Sequence, residues 1–325
     1  MKKKHIIGAL KVVLALAIVS YLFMSDRISL QAIIQLFSLH NVPYLCLSAM
    51  FFIASQFFSG MRLKSLLRTI DFALSTKSAF AITMVGNFFN TVLPGMIGGD
   101  IVKGVYLAKQ EPELRGRSSG ILIMDRTVGL LALSLTGAAA IVYLLLTSSR
   151  VQSMYARQLT AVLYLVFAAV VLFGVVLLAA NNKMIRQRIK NTMLSLFSKG
   201  MLFHMAEGFG KLAERKKVLL LSFLLSILIQ LLSLSGLLVL VEVLNTPQPD
   251  YIVILAVSSI VTLIGIVPVT PGNIGWVELV ASFGWSAVGS NMGGQIFLFW
   301  RIVTTLCSLP WGLHYLNPLK RKAIP

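Results

Sequence analysis

Asp100, Lys103, Asp125, Arg126, Glu278 and Arg301 are ionisable residues set within apolar stretches of the chain. Charges at membrane depth are costly and face a bundle interior or a wet cavity, so each asks for a chemical reason. An arginine fork matches a phosphate bidentately, which makes Arg126 and Arg301 candidates for holding an anionic headgroup, with Lys103 as a further cation. Asp100, Asp125 and Glu278 then balance charge or engage an amino group. A structural reading stands beside this one: Asp100 and Lys103 have the i, i+3 spacing of a pair on one helix, and Asp100 is also suited to cap a helix start. Asn90, one turn after Asn87, either lines the cavity or joins two helices by a hydrogen bond.

The acids follow two unusual turns. "TVLPGMIGGD" at 91–100 and "TPGNIGWVE" at 270–278 place Pro94, Gly95, Gly98 and Gly99, then Pro271, Gly272, Asn273 and Gly275, inside apolar regions. Irregular backbone at membrane depth is tolerated only when it is buried in protein or lines a cavity. Transporters built from inverted repeats use such breaks to aim half-helix N-termini at an anion near the midplane. The motif P-G-x-I-G occurs at 94–98 and again at 271–275, each time followed by an acid, Asp100 or Glu278, and by an arginine in the next span, Arg126 or Arg301. At ~1.5 Å per helical residue, Asp100 and Asp125 both lie ~12–14 Å from the inner surface, close enough in depth to meet. Glu278 and Arg301 lie ~12–17 Å below the outer one.

The elements that carry these residues follow from composition. Of 325 residues, 57% are hydrophobic and 12% charged, and the mean hydropathy is +0.85. Apolar runs near the ~20 residues that cross a bilayer, without period-two alternation, predict an all-α polytopic membrane protein forming one membrane domain over 1–325. Six full spans are expected at 5–24, 43–61, 119–146, 159–180, 218–243 and 293–316. Two interrupted helical hairpins are expected at 76–108 and 250–288, either re-entrant or crossing twice. The first span reads as retained, because its apolar run is too long for a cleaved signal and no small-x-small pair follows. Lysines and arginines gather in alternate loops, at 2–4, 62–77, 109–117, 183–217 and 320–322, whereas Arg27, Arg150 and Arg157 are the basic residues of the others. That bias predicts cytoplasmic N- and C-termini in the cell membrane. An odd number of crossings per half makes 159–316 an inverted repeat of 1–146. Between them, 181–217 reads as a basic amphipathic segment, suited to lie on the anionic inner membrane surface or to dock a soluble synthase or glycosyltransferase.

The net charge of +18 is accounted for by these loops and lipid headgroups, so no nucleic acid is expected as a partner. Cys46 and Cys307 both lie in apolar runs and give neither a disulfide framework nor a metal site. His5, His40, His204 and His314 show no ligand spacing, and no H-E-x-x-H or Walker loop occurs, so neither cofactor nor metal is expected. Transport is therefore favoured over catalysis. The alternatives are an intramembrane enzyme or an accessory subunit in lipid-linked glycan or aminoacyl-lipid synthesis.

"NFFNTVLPGMIGGDIVKG", "DRTVGLLAL", "TPGNIGWVE" and Arg301 in the last span resemble the transmembrane region of lysylphosphatidylglycerol synthases, a flippase-like family, over nearly the whole chain. The resemblance implies a flippase-type fold and movement of an anionic phospholipid or polyprenyl-phosphate-linked lipid across the membrane. Large members join this region to a soluble synthase domain. The sequence ends at Pro325 without one, so a stand-alone member is expected and lysyl transfer is not carried over. Lys103 stands where the family pattern leads us to expect a basic, substrate-facing residue.

Overall fold

A computed structural model describes residues 2–93, 98–147, 214–244 and 249–316 throughout, together with isolated residues between 148 and 213. The chain is helical, and no strand occurs among the described residues. The ten helices of the continuous stretches are α1 (Lys2–Met24), α2 (Leu30–Leu36), α3 (Val42–Leu67), α4 (Thr76–Val92), α5 (Gly98–Gln110), α6 (Arg115–Thr147), α7 (Lys216–Val239), α8 (Tyr251–Ile264), α9 (Trp276–Ser286) and α10 (Gly293–Leu316). Their starts follow local chemistry. Ser29, Ser75 and Asp250 accept hydrogen bonds from the backbone N–H groups of Ala32, Ser78 and Ile252, and Pro43 sits in the first turn of α3.

Four stretches among the described residues are long and apolar enough to cross a membrane: Leu39–Ile70, Pro112–Thr147, Lys216–Leu244 and Gly293–Leu316. Leu10–Met24 and Tyr251–Ile264 are shorter apolar helices. Half of the residues in the expected span at 159–180 and most of those in the segment at 181–217 fall outside the described residues, as do Pro94 and Gly95. Each region expected as an interrupted hairpin contains two short helices, α4 and α5 in the first and α8 and α9 in the second. Leu93 turns extended (φ −82°, ψ 144°) to end α4 before α5 begins at Gly98. Gly265 ends α8, and a single 3-10 turn, Pro271–Asn273, precedes α9.

Large aliphatic side chains such as Leu130, Leu146, Leu220 and Leu313 are exposed, while Ser48, Ser55, Ser222, Ser226, Ser258 and Ser308 are buried. Small polar residues at helix interfaces with apolar residues outside is the pattern of helices packing in lipid. Ser48 Oγ donates to the Gly236 carbonyl at 2.8 Å, tying α3 to α7. Gly99 rests on α4 so closely that a Cβ there would stand 2.0 Å from the Gly86 carbonyl oxygen. The two breaks also touch each other. A Cβ on Gly272 would lie 2.4 Å from the Thr91 carbonyl oxygen, at the end of α4.

Among the described residues, the largest difference between an expected boundary and a helix end is at α3. The span expected to stop at 61 continues as helix to Leu67 and carries Arg62 inside with it, 8% exposed. A charge ends an apolar run only when nothing compensates it, and here Asp125 does.

Candidate functional site

Asp100 lies in the first turn of α5, where the helix dipole favours a carboxylate. Its Oδ2 accepts from Arg126 Nη1 of α6, and its Oδ1 lies 3.7 Å from Lys103 Nζ, one turn along α5. Lys103 is buried, 9% exposed, with its stem laid against Gly86 of α4, where an added Cβ would meet Lys103 Cε at 2.5 Å. Arg126 retains 33% side-chain exposure. Its Nε and Nη2 make no hydrogen bond among the described residues.

Arg126 lies in the wall of a groove of about 780 Å³ lined by α5 and α6, with Met205 also contributing. Along α6, Arg115, Ser119, Leu122, Arg126 and Leu130 recur at helical spacing on the groove side, and α5 contributes Asp100, Ile101, Gly104, Val105 and Ala108. Ile101, Val105, Ile123 and Leu130 are also exposed on the molecular surface. The groove is thus an aliphatic channel with a guanidinium–carboxylate pair in its wall and Arg115, exposed, three turns away. Lys103 does not line it.

The second turn builds the same pair and uses it differently. Glu278, in the first turn of α9, accepts from Arg301 Nε of α10 at 2.5 Å and is 2% exposed. Arg301 also donates through Nη1 to the Gly272 carbonyl at 2.9 Å and through Nη2 to the Asn273 carbonyl at 3.0 Å. All three of its nitrogens thus donate, two of them to the turn. That turn needs such a clamp, since Gly272, Asn273 and Gly275 all have positive φ (58°, 53° and 79°), costly for the non-glycine Asn273. Asn273 Nδ2 adds a bond to the Gly265 carbonyl.

The remaining expected residues are placed as follows. Asp125, next to Arg126 in sequence, points away from it: its Oδ1 accepts from Arg62 Nε at 2.8 Å, and Arg62 Nη1 donates to Ser226 Oγ at 2.7 Å. This buried set joins α3, α6 and α7, and Asp125 does not line the groove. Asn90 Oδ1 accepts from the Gly99 backbone N–H at 2.8 Å, so it caps α5 and occupies a donor that was expected to face a ligand. Gly98 is buried against the Phe89 carbonyl and Leu93. Pro271 opens the 3-10 turn. Arg62, Arg115, Ser119 and Thr127 were not anticipated. The i, i+4, i+11 spacing of Arg115, Ser119 and Arg126 was a usable signal for the groove face, and the apolar continuation "LKSLL" after Arg62 was one for the longer helix.

Among the described residues no three His, Cys, Asp or Glu side chains are grouped to hold a metal. No curated protein matches the chain in sequence comparison. Residues 8–312, however, match the family described as lysylphosphatidylglycerol synthase TM region, and the chain accordingly belongs to that family.

Proposed function

We propose that this protein moves lipids with an anionic headgroup across the cell membrane, the headgroup passing along the α5–α6 groove while the acyl chains stay in the surrounding hydrocarbon. The family is a membrane domain linked to lipid-related function, which agrees with this reading. The observation that carries it is Arg126: a part-exposed guanidinium in the wall of an aliphatic groove, where hydrocarbon alone would leave its free donors unsatisfied. A phosphate supplies the missing acceptors, and a phospholipid or polyprenyl-phosphate-linked lipid supplies a tail compatible with Ile101, Val105, Ile123 and Leu130.

The two acid–arginine pairs, each following a P-G-x-I-G motif, support an inverted repeat whose broken hairpins meet near the midplane. In this reading both termini are cytoplasmic, and 181–217 rests on the anionic inner leaflet. The test is transbilayer flux of labelled phosphatidylglycerol in vesicles containing the purified protein. Arg126→Gln is expected to lower the rate at least tenfold with unchanged unfolding behaviour, and a wild-type rate in that variant would refute the assignment.

A further inference from the structure

Without a ligand, an arginine in a hydrocarbon-facing groove would lack a counter-charge, and Asp100 supplies one by standing where a headgroup oxygen would stand. We infer that Asp100 is a built-in competitor for the headgroup: an arriving phosphate takes Arg126, and the displaced carboxylate passes to Lys103. This rests on the headgroup reading of the groove given above.

The geometry supplies both ends of the exchange. One oxygen of Asp100 is on Arg126 while the other is already turned to Lys103 Nζ, at 3.7 Å. Closing that gap by about 0.9 Å makes a charge-assisted hydrogen bond of ~2.8 Å, a movement within the reach of one carboxylate rotation. Lys103 cannot itself greet a headgroup, because it is buried against Gly86 and lies off the groove. Its position is explained by the acid it attends. With it, no charge is left alone at either stage, whether Asp100 is on Arg126 or a phosphate is there and Asp100 is on Lys103. The three side chains together carry one net positive charge, so a singly ionised phosphodiester neutralises the set while a phosphomonoester dianion overfills it. The same device favours release, because the returning carboxylate competes for the guanidinium as the headgroup loosens.

The competitor role predicts signs that a scaffold role does not. The full-length protein is equilibrated with phosphatidylcholine vesicles doped with increasing phosphatidylglycerol, repurified, and its retained phosphatidylglycerol quantified. Asp100→Asn is expected to raise apparent affinity about tenfold, a part-buried ion pair exceeding the small value of an exposed one. Lys103→Met, which keeps the stem over Gly86, is expected to lower it by a similar factor. The double variant is expected to bind at least as well as wild type, since with no carboxylate there is nothing for Lys103 to draw away. Phosphatidate in place of phosphatidylglycerol is expected to be retained less by wild type. Thermal unfolding of each variant reports folding, and Asp100→Ser serves as the second variant if Asp100→Asn is not recovered folded. If removing the Asp100 carboxylate weakens binding, or if the double variant stays as weak as Lys103→Met, the competitor role is overturned while the groove stands. If Arg126→Gln retains phosphatidylglycerol like wild type, the groove reading itself fails and the exchange falls with it.

Discussion

Replacing Asp125 by alanine separates two roles that its place in an apolar span leaves open. Its side chain and that of Arg62 are each 9% exposed, and their contact is 2.8 Å. Truncation leaves the Arg62 guanidinium buried with Ser226 Oγ, at 2.7 Å, as its remaining partner. Breaking a buried pair from one side costs about 3–5 kcal/mol, and the surviving serine bond argues for the lower end, about 3 kcal/mol or a ~150-fold shift in the unfolding equilibrium. Removing both charges, as in Arg62→Met with Asp125→Leu, leaves no orphan and is expected to recover most of that loss. Unfolding of the purified variants in lipid nanodiscs, followed by thermal or denaturant titration, measures both quantities. A double variant as unstable as Asp125→Ala would refute the pairing argument. So would an Asp125→Ala protein of wild-type stability that has lost lipid flux, because Asp125 would then act on the substrate rather than on Arg62.

Three further outcomes follow from the geometry. Gly272→Ala places a side chain at φ 58° and a Cβ 2.4 Å from the Thr91 carbonyl, so a loss of at least about 1–3 kcal/mol is expected in the same unfolding assay. Arg301→Gln frees the Gly272 and Asn273 carbonyls and leaves Glu278 buried without its cation; its main effect is expected on stability, about 3 kcal/mol, in contrast to Arg126→Gln. Val105→Trp fills the groove from an exposed position and is expected to slow phosphatidylglycerol flux while changing stability by no more than about 0.5 kcal/mol.

Helix breaks and helix class were legible because they depend on local chemistry. A proline followed by closely spaced glycines disfavours helix, and the 271–275 turn lies between α8 and α9 while Leu93, just before the first motif, ends α4. That acids and arginines sit inside spans was equally plain. Which acid meets which arginine was not, since neighbours such as Asp125 and Arg126 point about 100° apart on a helix and so face different partners. Arg62 reads as a loop cation because its compensation by Asp125 comes from a helix more than sixty residues away. Asn90 has the composition of a cavity-lining residue, and its capping of Gly99 requires α5 to fold back onto α4. The difference between the open pair at Arg126 and the closed one at Arg301 likewise depends on tertiary placement, as both follow the same motif.

The contact between Gly272 and the Thr91 carbonyl makes the two interruptions mechanical neighbours. Backbone bears on backbone there, with no pliable side chain between to absorb a displacement. Tilting α4 by even a fraction of an ångström at its end must therefore push the 270–275 turn, and with it the Arg301 clamp. The end of α4 and the 270–275 turn thus register each other's position by direct backbone contact, in addition to the packing of α3 on α7 and of α6 on α8.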